Sequence, residues 1–308
     1  MPSLRSKLFI FALKNRHLLS GKKKRTTNVD WNTSIAQLRE DVENGSGFFG
    51  KLPPDFQIVP VEADGVTGEW LRPAQAPQDK AILYFHGGGL VIGSAKSHRG
   101  IVSKFVNGSG IAALVFDYRL APEHPFPAAL DDSLTMYRHL LAQGIAAEDI
   151  VFMGDSGGGN LVFTTMLALK DRGLPLPAAA VAMSPWTDLK NTGESYVTNA
   201  SVDSLTWRDS QDVFSQYYCG EADAGDPLIS PLYGDLSGLP PTLIFVGNDE
   251  LMRDDSTRLA QRAQAAGVDV TLRVGKGMFH CYPACAPIFP EATQAMDEIC
   301  VFVKNQLS

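Results

Sequence analysis

Apolar, β-rich runs alternate with stretches of helical spacing along this chain, and that order constrains its fold more than any other feature. From about residue 55 onward, residues 81–85, 112–116, 150–153, 179–183, 242–246 and 268–274 read as strands. Most are unbroken apolar runs, as strands covered on both faces require. Between them, residues 131–141, 160–171, 256–266 and 292–304 have the length and periodicity of helices. Asp131, and Asp254 or Asp255, stand where N-caps are expected. The alternation predicts an α/β chain with a central, mostly parallel sheet flanked by helices. With 308 residues, 44% of them apolar, the chain is long enough to bury such a core without a staple.

Two segments break the alternation. Residues 1–50 and the polar, aromatic stretch 188–220 read as helices outside the sheet, and together they are candidates for a helical cap. The expected organisation is a cap segment at 1–50, core at 51–187, a second cap segment at 188–220 and core again at 221–308.

The net charge of −7 argues against a nucleic-acid partner, which needs clustered Lys and Arg. The charge is unevenly spread. Residues 1–25 carry eight basic side chains and no acid, leaving 19 basic residues to face all 34 acids, a balance of −15 for the remainder. The apolar run at 8–13 is too short to span a bilayer and precedes no A-x-A cleavage signal. It reads as an amphipathic helix packed on the protein, with peripheral contact to an anionic membrane as the alternative. A cytoplasmic location is expected, and a homodimer is left open. Cys219, Cys281, Cys285 and Cys300 form no CxxC pair and have no His at zinc-finger spacing, so four reduced thiols are expected. The sequence leaves open a local Cys281–Cys285 bridge.

Gly154-Asp155-Ser156-Gly157-Gly158 follows one expected strand and opens the next helix. This is a G-x-S-x-G elbow in the context it requires: a tight turn that lifts the serine Oγ above the sheet, with glycine on either side so that strand and helix can pass closely. Neither G-x-G-x-x-G nor G-x-x-x-x-G-K-[ST] fits the same residues. A serine hydroxyl is a weak nucleophile and needs a base, which in turn needs an orienting carboxylate. Of the six histidines, His280 alone lies downstream of the last expected strand. Asp249, directly after the strand at 242–246, is the expected acid, with Glu250 as runner-up. Asp254 and Asp255 are better explained by the start of the next helix. His86-Gly87-Gly88-Gly89 ends another strand, where three glycines can turn backbone N–H groups toward an oxyanion. The expected donors are Gly88, Gly89 and Gly157, with His86 and Gly87 supporting the loop.

Taken together, these residues resemble the hormone-sensitive lipase family of esterases, the bacterial group marked by H-G-G-G and G-D-S-[AG]-G. The resemblance extends over most of the chain, including DYRLAPEHPFPAA from Asp117, SPLYGDLSGLPP from Ser230 and DELMRDDS from Asp249. It implies an α/β-hydrolase fold with an N-terminal cap, places Ser156, Asp249 and His280 on the family triad, and implies no metal or cofactor. It further implies a serine carboxylesterase acting on short- to medium-chain acyl esters. Gly157 stands where alanine is common, which leaves its amide donor unchanged. Trp31, Phe48, Phe49, Trp207, Phe214, Tyr217 and Tyr218 are candidates for pocket lining or cap core. Two other readings share the motifs: an amide hydrolase of arylformamidase type, and a non-catalytic small-molecule receptor on the same fold, against which His280 weighs. For the esterase, activity should rise as His280 loses its proton near neutral pH.

Overall fold

Among the described residues eight strands form one sheet in the order β1-β2-β4-β3-β5-β6-β7-β8. They are β1 (Phe56–Ala63), β2 (Val66–Pro73), β3 (Ala81–Phe85), β4 (Ala113–Asp117), β5 (Ile150–Asp155), β6 (Ala179–Met183), β7 (Thr242–Gly247) and β8 (Val270–Gly275). β1 and β2 pair antiparallel, as do β2 and β4, and every pair from β4 through β8 is parallel. This computed structural model describes residues 2–15, 29–45, 47, 52–53, 56–206 and 208–308. Phe48, Phe49 and Trp207 of the expected cap aromatics lie outside them.

Among the described residues the α-helices are α1 (Leu4–Lys14), α2 (Ile35–Gly45), α3 (Ala95–Ser109), α4 (Ala128–Ala142), α5 (Gly157–Asp171), α6 (Ser195–Thr198), α7 (Arg208–Cys219), α8 (Arg253–Ala265) and α9 (Pro290–Gln306). Alternate residues of each parallel strand feed opposite faces of the sheet. Leu83 and Phe85 of β3 join Phe152 of β5 in a core shared with Leu134 of α4 and Leu161 of α5. Ile82 and Tyr84 join Val151 and Met153 in a second core with Phe105 of α3 and Ile299 of α9.

The β1–β2 hairpin was not among the expected strands. β1 is largely exposed, and Pro60 interrupts its short apolar run. Its turn was readable all the same: Asp64-Gly65, both at positive φ, is a favoured two-residue hairpin connection. The expected N-caps also shift. Asp131, Asp254 and Asp255 lie in first turns, behind Pro127 and Met252. Asp254 and Asp255 serve tertiary contacts instead: Asp255 Oδ2 accepts the Thr187 and Asp188 N–H groups at 2.8 and 2.9 Å, and Asp254 Oδ2 accepts that of Ser195 at 2.8 Å. All four cysteines are free.

α1 is not one-sided. Its inward face holds buried Ser6 together with Phe9, whose ring lies 5.8 Å from that of Phe279 and 5.4 Å from that of Phe289. Ser3 caps the helix and its hydroxyl donates to Glu291 of α9 at 2.9 Å. The opposite face is also apolar, with Leu4, Leu8 and Phe11 exposed.

Candidate active site

The sheet changes direction of growth at β3, whose neighbours are β4 and β5. In open α/β sheets ligands gather beyond the strand C-termini at such a point. Parallel pairing sets Phe85 opposite Gly154, so the His86–Gly89 loop and Ser156 leave adjacent strands side by side.

Ser156 occupies the elbow at φ 53°, ψ −119°, a conformation that L residues avoid and that here presents the side chain above the sheet. Backbone bonds clamp the turn. Ser156 N–H donates to Met183 O at 2.9 Å, and its carbonyl accepts from Trp186 N–H at 3.1 Å. A Cβ on Gly158 would lie 2.0 Å from the Phe85 carbonyl oxygen, so helix and strand can approach this closely only through glycine. Gly157 is similarly crowded, its missing Cβ 3.0 Å from Gly89 N. The elbow and the glycine loop therefore touch at the amides named above as donors.

Gly88 and Gly89 have φ of 125° and 60°. The Gly87 N–H is turned inward and donates to Asp155 Oδ1 at 3.1 Å, with His98 Nε2 at 3.2 Å. Asp155 Oδ1 also accepts from Tyr84 OH at 2.8 Å. Burial acts to raise the Asp155 pKa, but His98 and Tyr84 outweigh it and hold the carboxyl below its ordinary value. Burial acts to lower the His98 pKa, and Asp155 reverses that. Asp155, His98 and Tyr84 thus form a buried polar support beneath the loop, and only Asp155 drew attention in the sequence, as a letter of the elbow. His86 stacks on Tyr118 with centroids 4.1 Å apart, and its Nδ1 lies 2.9 Å from Gly87 O. Burial pushes its pKa down to about 3, so the ring is neutral and acts by holding the loop.

His280 follows β8, and its Nδ1 lies 3.1 Å from Glu250 Oε1. The expected acid, Asp249, is not the group on the ring. β7 ends at Gly247, and Asn248-Asp249 make an outward turn in which Asp249 N–H donates to Met278 O and Asp249 Oδ1 accepts from Asn248 Nδ2 at 2.8 Å. Asp249 is half-buried, whereas Glu250 is fully buried and reaches back under the sheet end with its longer side chain. Its Oε2 accepts from Gly247 N–H at 2.7 Å and Ser184 Oγ at 2.9 Å. Ser184 also accepts the Cys281 N–H at 2.9 Å, so one hydroxyl joins the carboxylate to the histidine loop. Nothing in the sequence marked Ser184. Burial acts to lower the His280 pKa, but the Cys281 sulfur and the Glu250 carboxylate overcome it and hold the ring well above its ordinary value.

Ser156, His280, Gly88 and Gly89 line one cavity of about 820 Å³. Its walls come from both segments outside the alternation: Val29, Leu38 and Val42 from the first, Leu205, Gln211 and Phe214 from the second. These segments meet, with Val29 N–H donating to Ser210 Oγ at 2.9 Å and the rings of Trp31 and Tyr217 edge to face at 5.7 Å. Among the described residues no His, Cys, Asp and Glu cluster could hold a metal ion.

Residues 82–284 match a family model described as an alpha/beta hydrolase fold. An acetyl-hydrolase from Streptomyces hygroscopicus is 42% identical over 284 residues, covering 90% of this chain and 93% of the relative. An esterase from Acinetobacter venetianus is 38% identical over 253 residues, covering 82% and 83%. Among solved structures, an esterase from the bacterial hormone-sensitive lipase family superposes with a TM-score of 0.90 at 39% identity over the whole of both chains.

Proposed function

Since the chain belongs to the bacterial hormone-sensitive lipase family of α/β-hydrolase-fold esterases, and is itself a serine carboxylesterase, we propose a triad of Ser156, His280 and Glu250. What carries this reading is the His280–Glu250 contact beside the cavity that Ser156 and His280 share. With Nδ1 held by the carboxylate, Nε2 is the nitrogen that serves the serine. Ser156 Oγ attacks the ester carbonyl as His280 takes its proton. The N–H groups of Gly88, Gly89 and Gly157 receive the oxyanion, each contributing about 10²- to 10³-fold to kcat. His280 returns the proton to the departing alcohol, and water repeats the cycle on the acyl-enzyme. Glu250 remains ionised throughout.

Substrates are esters with short to medium acyl chains, taken up in the cavity between core and cap. The cap is assigned to 1–50 and 188–220 on the strength of the contacts at Val29 and Trp31 and their shared walls. Hydrolysis of p-nitrophenyl butyrate by wild type and Ser156→Ala tests the proposal; equal turnover would overturn it. A kcat/KM for the matching anilide at or above that for the ester would favour the amide hydrolase.

A further inference from the structure

The outward face of α1 has no role in the active site, yet it carries a patterned surface. Leu4, Leu8 and Phe11 are 73, 60 and 66% exposed, and their spacing of four and three residues aligns them in one stripe. Exposed Arg5 lies on one side of the stripe, and exposed Lys7 and Lys14 on the other. The exposure does not reflect a loosely attached helix. Ser3 and Ser6 both bond to Glu291, and the Phe9 ring rests on Phe279 and Phe289. A helix apolar on two opposite sides calls for cover on both, and among the described residues only one is covered.

We propose that this face docks on an anionic lipid bilayer, with Leu4, Leu8 and Phe11 among the acyl chains and the flanking cations at the headgroups. The charge distribution chooses this occupant. Every charge in residues 1–25 is positive, while the rest of the chain carries −15, so an anionic surface attracts this end and repels the remainder. The cations beside the stripe, Arg5, Lys7 and Lys14, add an electrostatic signal to the apolar one, the pairing that stable peripheral binding requires. A two-fold contact with a second copy would instead set Arg5, Lys7 and Lys14 against one another. α1 also lends Phe9 and Leu13 to the cavity wall, which would bring the site close to lipid-dissolved esters.

Cosedimentation of the full chain with phosphatidylcholine vesicles, with and without phosphatidylglycerol, tests this. Binding is expected only with phosphatidylglycerol and should fall steeply with added salt. Leu8→Glu with Phe11→Glu should lower partitioning about tenfold or more while turnover of a water-soluble ester is unchanged. If that variant fails to fold, Arg5→Gln with Lys7→Gln and Lys14→Gln reads the electrostatic arm, where a similar loss is expected. No vesicle binding, equal binding to neutral vesicles, or undiminished binding by a folded variant overturns the proposal. So does a stripe variant that changes only the sedimentation coefficient, which would mark the face as a self-association surface.

Discussion

Three donors converge on Glu250: the Gly247 N–H and Ser184 O–H at Oε2, and the His280 ring at Oε1. An amide in its place would set an N–H against one of these donors. Glu250→Gln should cut kcat toward p-nitrophenyl butyrate by about 10³- to 10⁴-fold, the scale on which a misoriented imidazole costs a serine hydrolase. Asp249→Asn should change it less than about threefold, since its carboxylate bonds the neighbouring Asn248 amide and not the ring. Reversal of the two results would restore Asp249. The sign of the pH dependence follows from the same contact. The base works when neutral, and its pKa in the folded protein is raised, so kcat/KM should climb with pH on the alkaline side of the ordinary histidine range. A rate already at its plateau at pH 6 would contradict the assignment. His98→Leu takes one buried partner from Asp155 and from the Gly87 amide, which keep their bond to each other. It should lower kcat about tenfold with little change in KM, a split seen in initial-rate kinetics. That Ser156 and His280 would meet at one cavity was legible because their motif and chain position are nearly unique in the sequence. The choice between Asp249 and Glu250 was not, because two adjacent carboxylates differ only in how the turn directs them, and the turn is fixed by Met278 and Asn248.

Between elements, the site depends on how closely α5 crosses β3. Gly158→Ala drives a methyl onto the Phe85 carbonyl, backbone that cannot swing aside. It should cost about 3 kcal/mol in urea unfolding and reduce activity in step. The parallel strands could be read from sequence because burial on both faces leaves apolar runs. β1 and β2 could not be read that way, since β1 is a largely exposed edge strand and β2 mixes Gly68, Glu69 and Arg72 among its apolar residues; only the Asp64-Gly65 turn announced them. Helix starts at 128, 157, 253 and 290 fall two or three residues before the expected ones. First turns are chosen by tertiary partners as much as by caps, as the Asp254 and Asp255 bonds demonstrate.

At the scale of the molecule, Arg39 of α2 reaches the core and ties the first segment to the loop behind the glycines. Its Nε donates to Val91 O at 2.8 Å, and its Nη2 to Ala121 O at 2.9 Å. Arg39→Ala should raise KM for longer acyl esters about tenfold, a loss of roughly 1.5 kcal/mol, with a smaller effect on acetyl esters. A chain-length series checks it, and a uniform effect across lengths would argue against a wall set by α2. Which segments lie outside the sheet was visible as a break in the alternation. Their meeting at Val29 and Trp31 was not, because contacts between residues some 180 apart leave no trace in local pattern.

Phe214 stands where a side chain on Gly89 would fall, its ring carbon 2.3 Å from the missing Cβ. Selectivity and speed therefore share a wall. An engineer who trims residue 214 to admit bulkier acids also unseats the glycine proposed to meet the oxyanion, so variants at that position alone should trade turnover for scope. Escape from that trade-off requires paired changes on either side of the contact.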